Sequence, residues 1–260
     1  MGSGFNVLGN PEGEFWYVSS EEVDATRPAS PIEEIYMESL PQRLRVDRRK
    51  TAVVIIDMQN DFCSKGGWLD YIGVDVSPAR RPISRLQKSL PLWREYELPI
   101  IWLNWGNRED RANLSPSLLH VYNADGHSPG IGDPIPGSGG AVLETGSWGA
   151  SIVDGLCVKD GDICVEKYRM SGFWDTPLNS ILQQLGIRTL LFAGVNADQC
   201  VLHTLADANF HGYDCVFLDD CCATTCPSYC WDATVFNVRQ IFGFTVASTD
   251  LHFSNHGDFS

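Results

Sequence analysis

The fold turns on residues 187–220, "IRTLLFAGVNADQCVLHTLADANFHGYDCVFLDD". The stretch opens with an apolar run, 187–194, that shows no polar alternation. A strand covered on both faces reads this way. A helical pattern follows Cys200 and runs to about Gly212. A further apolar run, "YDCVFLDD" at 213–220, closes the unit. Strand, helix and strand in this order form a parallel pair with a crossover helix. One residue in the unit raises a question. Cys200 falls where a buried strand has stopped and a helix begins, so it is either core filler or a nucleophile.

The same alternation extends in both directions. "TAVVIID" (51–57) is a β-branched run, and a helical stretch follows near 77–97 with Pro82 in its first turns. "LPIIWLNW" (98–105) and "GDICVEK" (161–167) are the next strands. "TPLNSILQQLG" (176–186) reads as a helix ended by Gly186. "PSYCWDATVFNVRQIFG" (227–243) is the last long helix and "FTVAS" (244–248) a sixth strand. The expected fold is α/β: a doubly wound, six-stranded, mostly parallel sheet with helices on both faces. Residues 1–50 read as an N-terminal extension and 51–260 as the domain. The extension's aromatics Phe15, Trp16, Tyr17 and Tyr36 are expected to anchor it against the core or a neighbour. Between 106 and 146 lies an irregular insert. Its "GIGDPIPGSGG" (130–140) does not follow a strand in a phosphate-binding pattern and reads as a surface loop, at most a lid.

Composition excludes several classes of function. The formal charge of −14 argues against nucleic acid or an anionic membrane surface as partner, since both are polyanions. No run of 18 apolar residues offers a membrane span. The first twenty residues lack a basic segment followed by an apolar core, so a cytoplasmic protein with reduced thiols is expected despite nine cysteines. Cys221, Cys222, Cys226 and Cys230 cluster, but without C-x-x-C spacing or a histidine at a ligand offset. No metal and no cofactor are expected.

In a doubly wound sheet the active site lies beyond the carboxyl ends of the strands. Asp57 ends the first strand, Lys167 the third, and the loop after the fourth delivers Cys200. Each alone has a plain reading: a turn acid, a solvated strand end, a core thiol. Together they place an acid, an ammonium and a thiol on one edge of one sheet. A thiol attacks as thiolate, and the first turn of a helix favours negative charge. Asp57 can take the thiol proton and return it to a leaving nitrogen. Lys167 would hold Asp57 in place and stabilise the anions, and backbone N–H groups around 196–200 would receive an oxyanion. No histidine lies in this loop, and His203, one turn on, reads as a core or surface residue. Asn104, Trp105, Tyr168 and Trp174 are candidate pocket walls, with core aromatics and a turn asparagine as the alternative.

"VVIIDMQNDFC", "EKYRMSGF" and "GVNADQCV" resemble, in order and spacing, the three catalytic segments of the isochorismatase-like cysteine hydrolases. The resemblance covers roughly residues 50–250. It implies a triad of Asp57, Lys167 and Cys200. It also implies a cis peptide before Asn196 that joins the Asn196 and Cys200 amides in one oxyanion hole. Vinyl-ether-cleaving members generally lack the cysteine, so its presence favours an amidase. Nicotinamidases of the family carry histidines after the second strand, whereas "WLNWGNRED" has none, which implies neither zinc nor nicotinamide. "GGWLDYIGVDVS", "GSWGASIVD", "SGFWDTPLNSIL" and "FNVRQIFGF" look like ureidoacrylate amidohydrolases, and "DFCSKGGWLDYIGVD" and "GIGDP" like biuret hydrolases. Both groups would cut a small amide or ureide. Met170 departs from both at a position that faces substrate in the family. A homodimer or homotetramer is the implied assembly.

Overall fold

The computed structural model describes residues 5–254 except 12, 28–30 and 137–138. Six strands form the central sheet: β1 (Thr51–Ile56), β2 (Ile100–Trp105), β3 (Ile163–Lys167), β4 (Thr189–Gly194), β5 (Asp214–Cys222) and β6 (Gly243–Val246). Their order is β6-β5-β4-β1-β2-β3, and every neighbouring pair is parallel. Every residue of β1 and β4 is buried, which explains their unbroken apolar sequences. β3 is the edge strand and alternates instead: Cys164 and Glu166 are exposed, while Val165 and Lys167 are buried.

Helices connect the strands. α1 (Arg81–Glu95) carries Pro82 in its first turn, where a missing N–H leaves no gap in the ladder. It buries Ile83, Leu86, Leu90 and Trp93 against the sheet. α2 (Leu178–Gln184) stops because Gly186 takes a left-handed φ of 69°. The Gly186 and Ile187 N–H groups, each at 3.0 Å, then close the last turn on the Gln183 and Leu182 carbonyls. α3 (Leu202–Phe210) and α4 (Ser228–Asn237) complete the set.

The order of strands reverses between β1 and β4, and their carboxyl ends open there. Gly194 ends β4 with a φ of 116°, and a Cβ at that position would lie 2.0 Å from the Ile56 carbonyl oxygen. Only glycine lets the two backbones approach so closely. This contact sets the separation of the loops that follow β1 and β4.

The N-terminal segment carries strands that its composition concealed. Glu34–Met37 pairs antiparallel with Leu44–Asp47 and, on its other side, with Leu251–Phe253 from the far end of the chain. Ile35 and Met37 are wholly buried, and Leu40 and Thr245 exchange backbone hydrogen bonds of 2.9 Å. That exchange covers the free edge of β6. A smaller antiparallel sheet lies outside: Asn6–Gly9, Phe15–Val18 and Val23–Asp24. Tyr36 stacks on His252, Phe15 and Tyr17 meet edge to face, and Trp16 is exposed. Residues 130–136 are no mere surface loop: Ile131 and Ile135 are buried, and Asp133 accepts the Gly130 N–H and pairs with Arg111. Among the described residues no helix is long and apolar enough to cross a membrane.

Candidate active site

Three side chains from three strand ends meet at the switch point. Asp57 follows β1 with a left-handed φ of 51°, an unusual backbone for a non-glycine residue. Its N–H donates to the Leu103 carbonyl at 3.0 Å, which fixes it against the end of β2. Lys167 closes β3, and its Nζ lies 2.7 Å from Asp57 Oδ2 with both side chains fully buried. The Asp57–Lys167 contact is a close ion pair between two groups removed from water. Lys167 Nζ also donates to the Arg169 carbonyl at 3.3 Å and sits 4.3 Å from the centroid of the Trp105 ring. A carboxylate, a carbonyl and an aromatic face together compensate a buried ammonium.

Cys200 arrives from the loop after β4 and is 4 % exposed. The sequence places it in the first turn of an α-helix. The structure instead puts it inside a π-turn, Ala197–Val201, before α3 begins at Leu202. Its sulfur is within interaction reach of both Asp57 and Lys167, and lies 3.8 Å from Met170 Sδ. The peptide bond between Val195 and Asn196 is cis. Among the described residues the Asn196 N–H donates to no backbone acceptor, and the Cys200 N–H meets none outside its own turn.

Burial governs the ionisation of this trio. It pushes the Cys200 thiol up, and the Asp57 charge adds to the effect while Lys167 opposes it. Burial thus works against the thiolate that an open helix end would favour. Burial likewise raises Asp57 above the ordinary carboxylate range, with Lys167 pulling it back. Lys167 is held above its usual value: burial lowers it, but the Asp57 and Cys200 charges and their hydrogen bonds together outweigh burial. Moving a proton from thiol to carboxylate converts one anion beside Lys167 into another. The buried net charge does not change, so the transfer avoids the penalty of creating an uncompensated charge.

The other sequence candidates divide. Trp105 is buried beneath Lys167, with its indole N–H donating to Asn107 Oδ1 at 2.7 Å. It supports the lysine. Asn104 precedes it, half-buried, with its Oδ1 unpartnered. Successive strand residues face opposite sides, so the sheet separates Asn104 from the Trp105 face. Tyr168 is half-buried under the Arg169 guanidinium, 4.9 Å from its centroid. Trp174 is 62 % exposed and its indole N–H donates to Asp207 on α3. Among the described residues no three His, Cys, Asp or Glu side chains converge as metal donors.

Sequence reading missed two glutamines. Gln59 is fully buried; it accepts the Trp105 N–H at 2.8 Å and donates to the Trp105 and Ala150 carbonyls. It thus fixes the aromatic floor under Lys167. Gln199 precedes the thiol; its Nε2 donates to the Tyr122 hydroxyl at 2.9 Å and its Oε1 lies 3.5 Å from Asn196 Nδ2. Gln59 was visible as a polar residue inside "IIDMQNDF", two positions after the acid.

A doubly wound α/β protein with a thiol, carboxylate and ammonium at its switch point is the class that fold and site define. Residues 51–250 match the Isochorismatase domain, and the chain belongs to that family. Solved structures share the fold. A cysteine hydrolase from Pseudomonas syringae pv. phaseolicola 1448A is 20% identical, with 85% of this chain and 95% of that chain covered, at a TM-score of 0.67. An N-carbamoylsarcosine amidase from Thermoplasma acidophilum is 24% identical over 76% of this chain and 96% of its own, at 0.55. A nicotinamidase from Bacillus subtilis is 20% identical over 76% and 99%, at 0.59.

Proposed function

We propose that this protein is a cysteine-dependent amidohydrolase cleaving a C–N bond of a small linear amide or ureide. The observation that carries the reading is the fully buried Asp57–Lys167 ion pair against the Cys200 thiol. A structural thiol has no use for a charged pair that is expensive to bury. In the proposed reaction, Asp57 takes the Cys200 proton as the sulfur attacks the carbonyl carbon. The carbonyl oxygen gains the electron pair and rests on the Asn196 and Cys200 N–H groups. Collapse breaks the C–N bond, and the nitrogen leaves with the proton from Asp57. Water then attacks the thioester while Asp57 takes its proton. The acid is released and the proton returns to sulfur. Lys167 stays charged throughout and compensates whichever partner is anionic.

Amide substrates are supported by the amidase and nicotinamidase among the structural neighbours. The ureide assignment rests on the motif resemblance to ureidoacrylate and biuret hydrolases. Met170, 3.8 Å from the sulfur, gives the acyl group an apolar neighbour rather than a charged one. Ammonia release from biuret, triuret, ureidoacrylate, N-carbamoyl amino acids and simple amides tests the reading. Turnover of at least one, lost in Cys200→Ala, is expected; silence across the panel or retained turnover in the variant would overturn it.

A further inference from the structure

The thiol is almost wholly buried, and the residue before it in the π-turn, Gln199, makes polar contacts with the insert. Tyr122, from the insert after β2, reaches Gln199 with an oxygen–nitrogen distance of 2.9 Å. Its backbone is left-handed, φ 58°, and its ring packs edge to face on Trp68 at 5.4 Å. Trp68 is itself buried and tied to the Pro129 carbonyl. The hydroxyl is thus delivered from a fixed base, although the ring remains 41 % exposed. Burial raises the Tyr122 phenol, and its hydrogen bond with Gln199 opposes the rise. The phenol is thus bound to the residue that immediately precedes the reactive sulfur in its turn. Gln199 presents a donor to Tyr122 and turns its oxygen towards Asn196, in the same turn as the thiol.

We propose that Tyr122 and Gln199 are a specificity pair that recognises a second amide or carbamoyl group beside the scissile carbonyl. Their mutual hydrogen bond occupies donor and acceptor positions that a carboxamide matches with its own C=O and NH2. Binding such a group exchanges one hydrogen bond for two or three. A simple amide, lacking the distal group, makes no such exchange. The inference rests on Cys200 being the nucleophile and deepens that reading by naming what selects a ureide over a plain amide.

The alkylation rate of Cys200, followed by mass spectrometry of the full-length protein, tests the pair without requiring the natural substrate. Iodoacetamide carries a carboxamide next to the reacting carbon; the sulfur displaces iodide and the thiol proton passes to Asp57. Methyl methanethiosulfonate carries none; the sulfur displaces methanesulfinate to form a disulfide, with the proton going the same way. The expected result is that Tyr122→Phe and Gln199→Leu each lower the iodoacetamide rate relative to the thiosulfonate rate by about fivefold, as the loss of a hydrogen bond predicts. The double variant should lose no more than either single one, because the two act together. A parallel change in both rates, in either direction, would make the pair a mere cover and overturn the proposal. So would unchanged rates. If wild-type Cys200 reacts no faster than the other cysteines with either reagent, the nucleophile assignment fails first and the pair falls with it.

Discussion

Two clusters lie at the carboxyl ends of this sheet, and both contain an acid, a thiol and a cation. One is the trio of Asp57, Lys167 and Cys200. The other lines a cavity of about 500 Å³ beyond β5, with Asp219, Asp220, Cys222, Cys226 and Arg81. By size alone the cavity is the more inviting site. Its groups are already committed. Asp220 pairs with Arg85 at 2.8 Å and accepts from Ser248 twice. The Cys222 thiol donates to the Phe192 carbonyl at 3.4 Å, and burial pushes it far up, with the Asp219 and Asp220 charges adding to the shift. In the trio, burial also raises the thiol, but a carboxylate is there to take its proton and an ammonium to compensate the charge. The difference teaches that contact and charge balance, not open volume, mark the chemistry.

Paired substitutions, one in each cluster, break the comparison, beginning with the pair of largest expected effect. Cys200→Ala should lower kcat/KM on the order of 10⁴-fold, the scale seen when a nucleophile is removed. Cys222→Ala should leave turnover in place and reduce stability by about 1 kcal/mol. Equal losses from both, measured on the same substrate, would erase the distinction. Lys167→Met leaves the Asp57 carboxylate buried beside no cation, so the urea midpoint should fall by an amount worth about 3–5 kcal/mol. Adding Asp57→Leu should restore most of it, since the unpaired charge is the cause. Arg85→Met, at a pair more open to water, should change stability by about 1 kcal/mol or less.

How much of this was legible in sequence follows from what each residue does. The inner strands were visible because strands buried on both faces need continuous apolar runs, and Asp57, Lys167 and Cys200 stood out as polar or reactive residues at or just after strand ends. The π-turn around Cys200 was not visible: it adds one residue to a turn without changing the apolar pattern. Tyr122 and Gln199 are 77 positions apart, and nothing local links a tyrosine in an irregular insert to a thiol loop. Gln59 was missed for a different reason. It stands within a quoted motif, but its use is to accept one backbone N–H and donate to two carbonyls, which only the packed loops reveal. The strand at Glu34–Met37 did leave a signal, since its side chains alternate between half-buried and fully buried; four residues are too short for that period to emerge from its acidic surroundings.

The smallest expected effect is a displacement along the pH axis, and its sign distinguishes the two clusters. Asp57 must be ionised to accept the thiol proton. Burial raises it above the ordinary carboxylate range, so kcat/KM should climb with pH through that elevated value and level off above it. Lys167 pulls Asp57 down, so residual activity in Lys167→Met should show the same limb at still higher pH. Asp220→Asn should leave the limb where it is. Stability carries the complementary signature. With its folded value above its unfolded one, Asp57 binds more proton in the native state across the interval between them, so stability falls as pH rises through that window. Asp57→Asn should flatten that part of the slope in urea titrations at several pH values. An acid limb in the ordinary carboxylate range, with no change of slope in Asp57→Asn, would show that the carboxylate is not desolvated as the geometry requires, and the proton transfer assigned to it would lose its basis.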